Sequence, residues 1–181
     1  KLYSFSENIG ISNVYTLNNT ILKGKSEEII RKCEADHQMR LFDLAKKIGT
    51  NNDIKLVFVA GPSSSGKTTF AQKFQMMLSL LGKKSKVISM DNYFQDLDNI
   101  PKDEKGNYDY ECIENVDICL FSMQMNDLLE GKSVRLPRYN FAISKKEYEK
   151  ESYSLDKDSV LIIEGIHALN PTITSNMPKK S

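Results

Sequence analysis

The sequence predicts an α/β fold: a doubly wound parallel sheet built around a phosphate-binding loop, with a helical lead-in ahead of it. Three observations carry that prediction. Gly61-Pro62-Ser63-Ser64-Ser65-Gly66-Lys67-Thr68-Thr69 matches the spacing G-x-x-x-x-G-K-[ST]. This stretch is framed by a short apolar run, residues 54–60, and by an amphipathic stripe that follows it. Two further short strand candidates, residues 86–90 and 159–163, each lead into an acid, Asp91 and Glu164. Strand, glycine-rich turn, helix and strand in that order open a βαβ unit.

Taken in order, residues 1–25 mix small apolar patches with Asn, Ser and Gly, hold no period for long, and read as an extended lead-in. Residues 26–48 place Ile29, Ile30, Cys33, Phe42, Ala45 and Ile48 at three- and four-residue spacing among charges, which predicts an amphipathic helix with Ser26 as its N-cap. Gly49-Thr50-Asn51-Asn52-Asp53 breaks it. Residues 54–60 lack a helical stripe and predict a strand buried on both faces. After the loop, Phe70, Phe74, Met77, Leu78 and Leu81 form one helical face that Gly82 closes.

Residues 92–115 are polar, aromatic and interrupted by Pro101 and Gly106, too long for a simple connector and of the kind that is functional or mobile. A second helical stripe covers residues 116–129 and ends at Gly131. Residues 134–143, with Pro137, read as extended, and residues 159–163 as a buried strand.

The composition is that of an ordinary water-exposed globular chain. With 181 residues there is room for one well-buried domain and an appendage. A net charge of +1 gives no ground for a nucleic-acid or membrane partner, and no apolar run approaches the roughly 20 residues of a membrane span. The expected location is cytoplasmic, and a homo-oligomer stays open. Cys33, Cys112 and Cys119 form no C-x-x-C pair, so neither a disulfide framework nor a zinc knuckle is indicated; Cys33 and His37 share a helical face, but no further ligand pair accompanies them.

The chemistry follows from the loop. Its glycines let backbone N–H groups close around phosphate oxygens, Lys67 reaches the β- and γ-phosphates, Thr68 offers a hydroxyl to Mg²⁺, and the following helix adds its positive end. Glu164 follows an apolar strand, as a Mg²⁺ ligand or an acceptor for its waters should. Asp91, at another strand end, is the candidate for deprotonating an acceptor hydroxyl. Tyr93, Phe94, Tyr139 and Phe141 offer flat faces for a ring, or simply pack the core, and Asp109 either hydrogen-bonds sugar hydroxyls or caps a turn.

Five stretches in order, Gly61 through Thr69, Ser89-Met90-Asp91-Asn92-Tyr93-Phe94, Asn107-Tyr108-Asp109-Tyr110-Glu111, Leu136-Pro137-Arg138-Tyr139-Asn140-Phe141 and Ile162-Ile163-Glu164-Gly165-Ile166, resemble the motifs of the uridine kinase and phosphoribulokinase family. The segment 26–48 and the wording Glu164-Gly165-Ile166-His167-Ala168-Leu169-Asn170-Pro171 look most like bacterial two-part nucleoside kinases with a threonyl-tRNA synthetase-like amino-terminal half. The resemblance implies ATP or GTP as donor, Mg²⁺, and phosphorylation of a nucleoside 5′-hydroxyl, uridine- or cytidine-like. It also implies Asp91 as the acceptor-activating acid, Asp109 as a sugar contact, and Tyr139 with Phe141 in the acceptor pocket. It divides the chain into residues 1–50, lead-in and amphipathic helix, and residues 51–181, a P-loop kinase core whose arginine-bearing lid would lie beyond Ser181.

Two departures stand out. Ala142-Ile143-Ser144 follows where uridine kinases carry a base-contacting histidine, and lysines stand at 145 and 146 near a position where relatives carry arginine. A nucleotide-responsive regulatory module, or a phosphoribulokinase-like or pantothenate-kinase-like acceptor, is the alternative.

Overall fold

The structure, a computed structural model, describes residues 2–96, 100, 102, 106, 108–109, 111–175 and 177. The chain divides into two compact units, Lys1–Leu44 and Ala45–Ser181. None of the described helices is long and apolar enough to cross a membrane.

The described part of the first unit is helical from Leu2. α1 (Leu2–Asn8) and α2 (Val14–Leu22) stand where an extended lead-in was expected. α2 opens with a capping box: Asn13 Oδ1 accepts from Thr16 N at 2.9 Å, and Thr16 Oγ1 accepts from Asn13 N at 3.1 Å. Helices this short fall below the window in which an apolar stripe is legible, and α2 buries none of its residues. The readable signal was the Asn13/Thr16 spacing.

α3 (Ser26–Gly49) forms where the stripe predicted it. Ile29 N bonds the Lys25 carbonyl at 3.2 Å, so the cap falls at Lys25 and Ser26 lies inside the first turn, where Glu27 and Glu28 favour the helix dipole. The buried stripe is narrower than expected: Ile29 and Leu41 are covered, whereas Ile30 and Phe42 are 54% and 42% exposed.

The second unit runs β1 (Leu56–Ala60), α4 (Lys67–Leu80), β2 (Ser85–Ser89), 3₁₀ turns at Met90–Tyr93 and Ile113–Asn115, α5 (Ile118–Leu129), β3 (Ser133–Val134), β4 (Pro137–Asn140), β5 (Lys145–Tyr148), β6 (Tyr153–Ser154), β7 (Val160–Gly165) and α6 (Pro171–Thr174). Among the described residues the main sheet is parallel, in the order β1-β7-β2, which bears out the expected α/β class. Ile162 of β7 faces Val57 on one side and Val87 on the other.

Every residue of β7 is buried, the reason its sequence is a continuous apolar run rather than an alternating one. β1, expected to be buried on both faces, is only partly covered, because in the described sheet it pairs on one side alone. β1 and β2 are consecutive strands, yet β7 lies between them.

α4 covers the sheet with Ala71, Phe74 and Leu78, all fully buried. It ends in a Schellman turn: Gly82, at φ 76°, donates to Ser79 O at 2.9 Å and Lys83 N to Leu78 O at 2.9 Å. α5 begins two residues later than expected. Asp117 caps it by accepting from Leu120 N at 3.0 Å, and Val116 instead bridges Phe94. The extended segment at 134–143 contains β4, which pairs with the unforeseen β5 in a hairpin that places Tyr139 opposite Lys146.

Candidate active site

β1 delivers the chain to a loop of unusual backbone. Ser64 at φ 57° and Gly66 at φ 86° both lie in the left-handed region, and a Cβ on Gly61 would stand 2.7 Å from Ser65 Oγ. Gly66 is the N-cap of α4 and offers no side chain to its first amides, so those donors face outward with the positive end of a 14-residue helix behind them. The result is a cradle for an anion. Lys67 Nζ donates to the Pro62 carbonyl at 2.8 Å, which holds its charge over the loop.

Glu164 reaches this cradle from the middle strand. The parallel register sets it opposite Val59 and Ser89, at the carboxyl ends of all three strands. Thr68 Oγ1 donates to its Oε1 at 3.2 Å, joining residues 96 positions apart, and Glu164 is only 3% exposed. Among the described residues no cluster of three or more His, Cys, Asp or Glu side chains forms a ready-made metal cage. Mg²⁺ needs none, since it keeps most of its waters and takes one or two protein oxygens beside substrate phosphates. The Thr68 hydroxyl and Glu164 carboxylate are a donor set of that kind.

Asp91 comes to the same place through a close approach. A Cβ on Gly165 would lie 2.8 Å from Met90 Cβ, so only glycine lets the Met90–Tyr93 turn rest on the end of β7. Asp91 projects from that turn and remains reached by solvent. The surrounding walls, and next the Glu164 carboxylate, push its pKa above the ordinary range, while Lys67 and His167 pull it the other way. Lys67, Asp91, Glu164 and His167 therefore share one electrostatic neighbourhood. Gly165→Ala is expected to cost about 1–3 kcal/mol by overpacking against Met90, read as a lower Tm in thermal denaturation.

The aromatic candidates divide. Phe94, Tyr139 and Phe141 form a cluster with ring centroids 4.9–6.0 Å apart, Phe141 being 60% exposed at its rim. Tyr93 does not join them. It is fully buried, packed edge-on against Phe121 at 5.0 Å, with its hydroxyl donating to Gln124 Oε1 at 2.9 Å. Adjacent residues of a tight turn point in different directions, and a ring without exposed surface gives a soluble acceptor no face.

Asp109 is exposed and caps its own turn, Oδ1 accepting from Glu111 N at 3.0 Å. Asn107 and Tyr110 of the same motif lie outside the described residues.

Several site neighbours carried no local signal. Asn92 Oδ1 accepts from Tyr139 N at 3.3 Å and so ties the aromatic hairpin to the turn that bears Asp91. Lys146, 13% exposed, donates through Nζ to Asp117 Oδ2 at 2.9 Å, and its amide donates to Asp96 Oδ1 at 3.1 Å. Burial alone would raise the Asp117 pKa, but the Lys146 ammonium and the Leu120 N–H outweigh it and hold it low. Lys146 thus locks the hairpin to the α5 cap, and Lys145 is the exposed cation of the pair. His167 Nε2 lies 2.8 Å from the Glu111 carbonyl.

The chain is 32% identical over 132 residues to a uridine kinase of Staphylococcus epidermidis, covering 71% of this chain and 61% of the relative. It is 37% identical over 120 residues to "Inorganic pyrophosphatase TTM2" of Arabidopsis thaliana, covering 66% of this chain and 16% of that protein. The chain thus spans only part of the curated relatives it matches. Among solved structures, a possible uridine kinase from Bacillus stearothermophilus shares the fold with a TM-score of 0.63 at 21% identity, over 78% of each chain. The family model described as Phosphoribulokinase / Uridine kinase matches residues 56–176, from the first strand through the site to α6, and the chain belongs to that family.

Proposed function

We propose that this chain is the core of a Mg²⁺-dependent kinase that transfers the γ-phosphoryl group of ATP, or GTP, to the 5′-hydroxyl of a nucleoside-like acceptor. The observation that carries the reading is the meeting of Lys67, the Thr68–Glu164 pair and Asp91 at one end of the sheet. A phosphate cradle alone would fit any nucleotide-binding protein; an additional carboxylate beside it fits transfer to a hydroxyl.

In this reading the loop amides and Lys67 hold the β- and γ-phosphates. Thr68 and Glu164 would hold Mg²⁺, which when bound would neutralise phosphate charge. Asp91 accepts the acceptor's hydroxyl proton as the new O–P bond forms and the bond to the nucleoside diphosphate breaks. A carboxylate with a raised pKa is a stronger base than an ordinary one, and Asp91 has that shift. Phe141, the exposed ring of the cluster, would face the acceptor's ring with the buried Phe94 and Tyr139 packed behind it, and Asp109 would face its sugar hydroxyls. Neither nucleic acid nor membrane enters the scheme.

The test is incubation of the purified protein with ATP, Mg²⁺ and a panel of nucleosides, sugar phosphates and pantothenate, with products read by mass spectrometry. A nucleoside monophosphate is the expected product. ATP binding with no phosphorylated acceptor would instead favour a nucleotide-responsive module. Lys67→Ala is expected to weaken ATP binding at least about tenfold by isothermal titration, the loss of one charge-assisted phosphate contact. Wild-type affinity in that variant would contradict the cradle assignment.

A further inference from the structure

We propose that His167 is a positioning residue, a tether that holds the segment carrying Asp109 against the carboxyl end of β7, so that acceptor binding depends on it and nucleotide binding does not. The inference rests on the kinase reading above for its consequence, but its geometry stands apart from it.

A carbonyl oxygen can only accept, so the 2.8 Å contact between His167 Nε2 and Glu111 O requires the proton on Nε2. That bond spans 56 residues and reaches from the turn after β7 to the loop after β2. His167 is three residues past Glu164 and half-buried, so its backbone is set by the central strand. On the other side, Glu111 N is bonded to Asp109 Oδ1 at 3.0 Å, and the Asn115 side-chain amide donates to the Asp109 carbonyl.

The far end of the segment is held separately. Gln95 N donates to Asn115 O at 2.7 Å and Gln95 Nε2 to Glu114 O at 3.0 Å. Those bonds secure residues 114–115, whereas His167 secures 111. The bond from His167 reaches the Asp109 turn from the β7 side.

None of these contacts involves the phosphate cradle. Losing the tether should therefore loosen Asp109 and residues 111–116 and leave Gly61 to Thr69 unchanged. Gln at 167 can present an amide donor close to where Nε2 sits, whereas Ala cannot.

The experiment compares wild type, His167→Ala and His167→Gln. Hydrogen exchange is followed at the amides of Glu111, Asn115 and Val116, which are bonded within the segment. ATP affinity is measured by titration, and KM and kcat are measured for whichever acceptor the panel identifies. The tether predicts exchange faster by about fivefold or more in His167→Ala, a comparable rise in acceptor KM, ATP affinity within about twofold of wild type, and recovery of most of both effects in His167→Gln. Unchanged exchange in His167→Ala overturns the tether. An equal loss of ATP affinity overturns it as well, since that marks general damage. If the wild type phosphorylates no acceptor, the kinase reading fails while the exchange and ATP measurements still decide the tether.

Discussion

Asp91→Asn is expected to lower kcat by about 10² to 10⁴ while ATP affinity stays near wild type, because the amide keeps the shape of the side chain and loses the base. Titration of ATP together with steady-state kinetics checks both halves, and unchanged turnover would remove Asp91 from the mechanism. The same substitution has a stability consequence of definite sign. The folded-state pKa of Asp91 is raised, by the surrounding walls and then by Glu164. Between its ordinary value and that raised value the native state binds more protons than the unfolded state, so stability falls as pH rises through the window.

Below the ordinary carboxylate range both states are protonated and the penalty is absent; above the raised pKa it is complete. Asp91→Asn, measured at neutral pH without added divalent metal, should therefore show an equal or higher Tm than wild type together with its lost turnover. A lower Tm would mean that the carboxylate makes a stabilising bond. The raised pKa also moves the acid limb of the rate profile to higher pH than an unperturbed aspartate would give, since the base must be ionised to accept a proton.

Ile162→Ala is expected to destabilise the second unit by roughly 2–5 kcal/mol, the range for truncating a buried aliphatic side chain in a site that cannot collapse. For a protein of this size that is a Tm lower by roughly 5–15 °C, measured by calorimetry or circular dichroism. Ile162 has no exposed surface and lies between Val57 and Val87, so strands on both sides prevent closure of the cavity. The effect should reach function, because Glu164 is two residues along the same strand and owes its position to that packing. A loss under about 1 kcal/mol would show that β7 is not the central strand.

The sequence alone carried the phosphate loop, because Gly61, Gly66, Lys67 and Thr68 act through local backbone geometry and fixed spacing. α3 and α4 were legible for a similar reason: each repeats its apolar positions over enough turns to reveal a face. β7 was legible as a buried strand, since burial on both faces removes alternation from its sequence. α1 and α2 were not, because each is too short to repeat a stripe. β5 was missed because Lys145-Lys146-Glu147-Tyr148 has neither the β-branched residues nor the alternation of a strand; it forms through pairing with β4.

What the sequence determined by itself was the chemistry available: an anion cradle, a hydroxyl for a metal, and two acids that end apolar runs. What only the tertiary structure decided was which of these groups meet. Strand order sets β7 between β1 and β2, and from that follows the contact of Thr68 with Glu164 across 96 residues. The bare Cα of Gly165 admits the turn that brings Asp91 beside them, and that turn sends Tyr93 into the core while Phe94 joins Tyr139 and Phe141. Periodicity and spacing report the neighbours of a residue along the chain. Pairing order and close approach are settled by which surfaces bury one another, and that is a property of the folded whole.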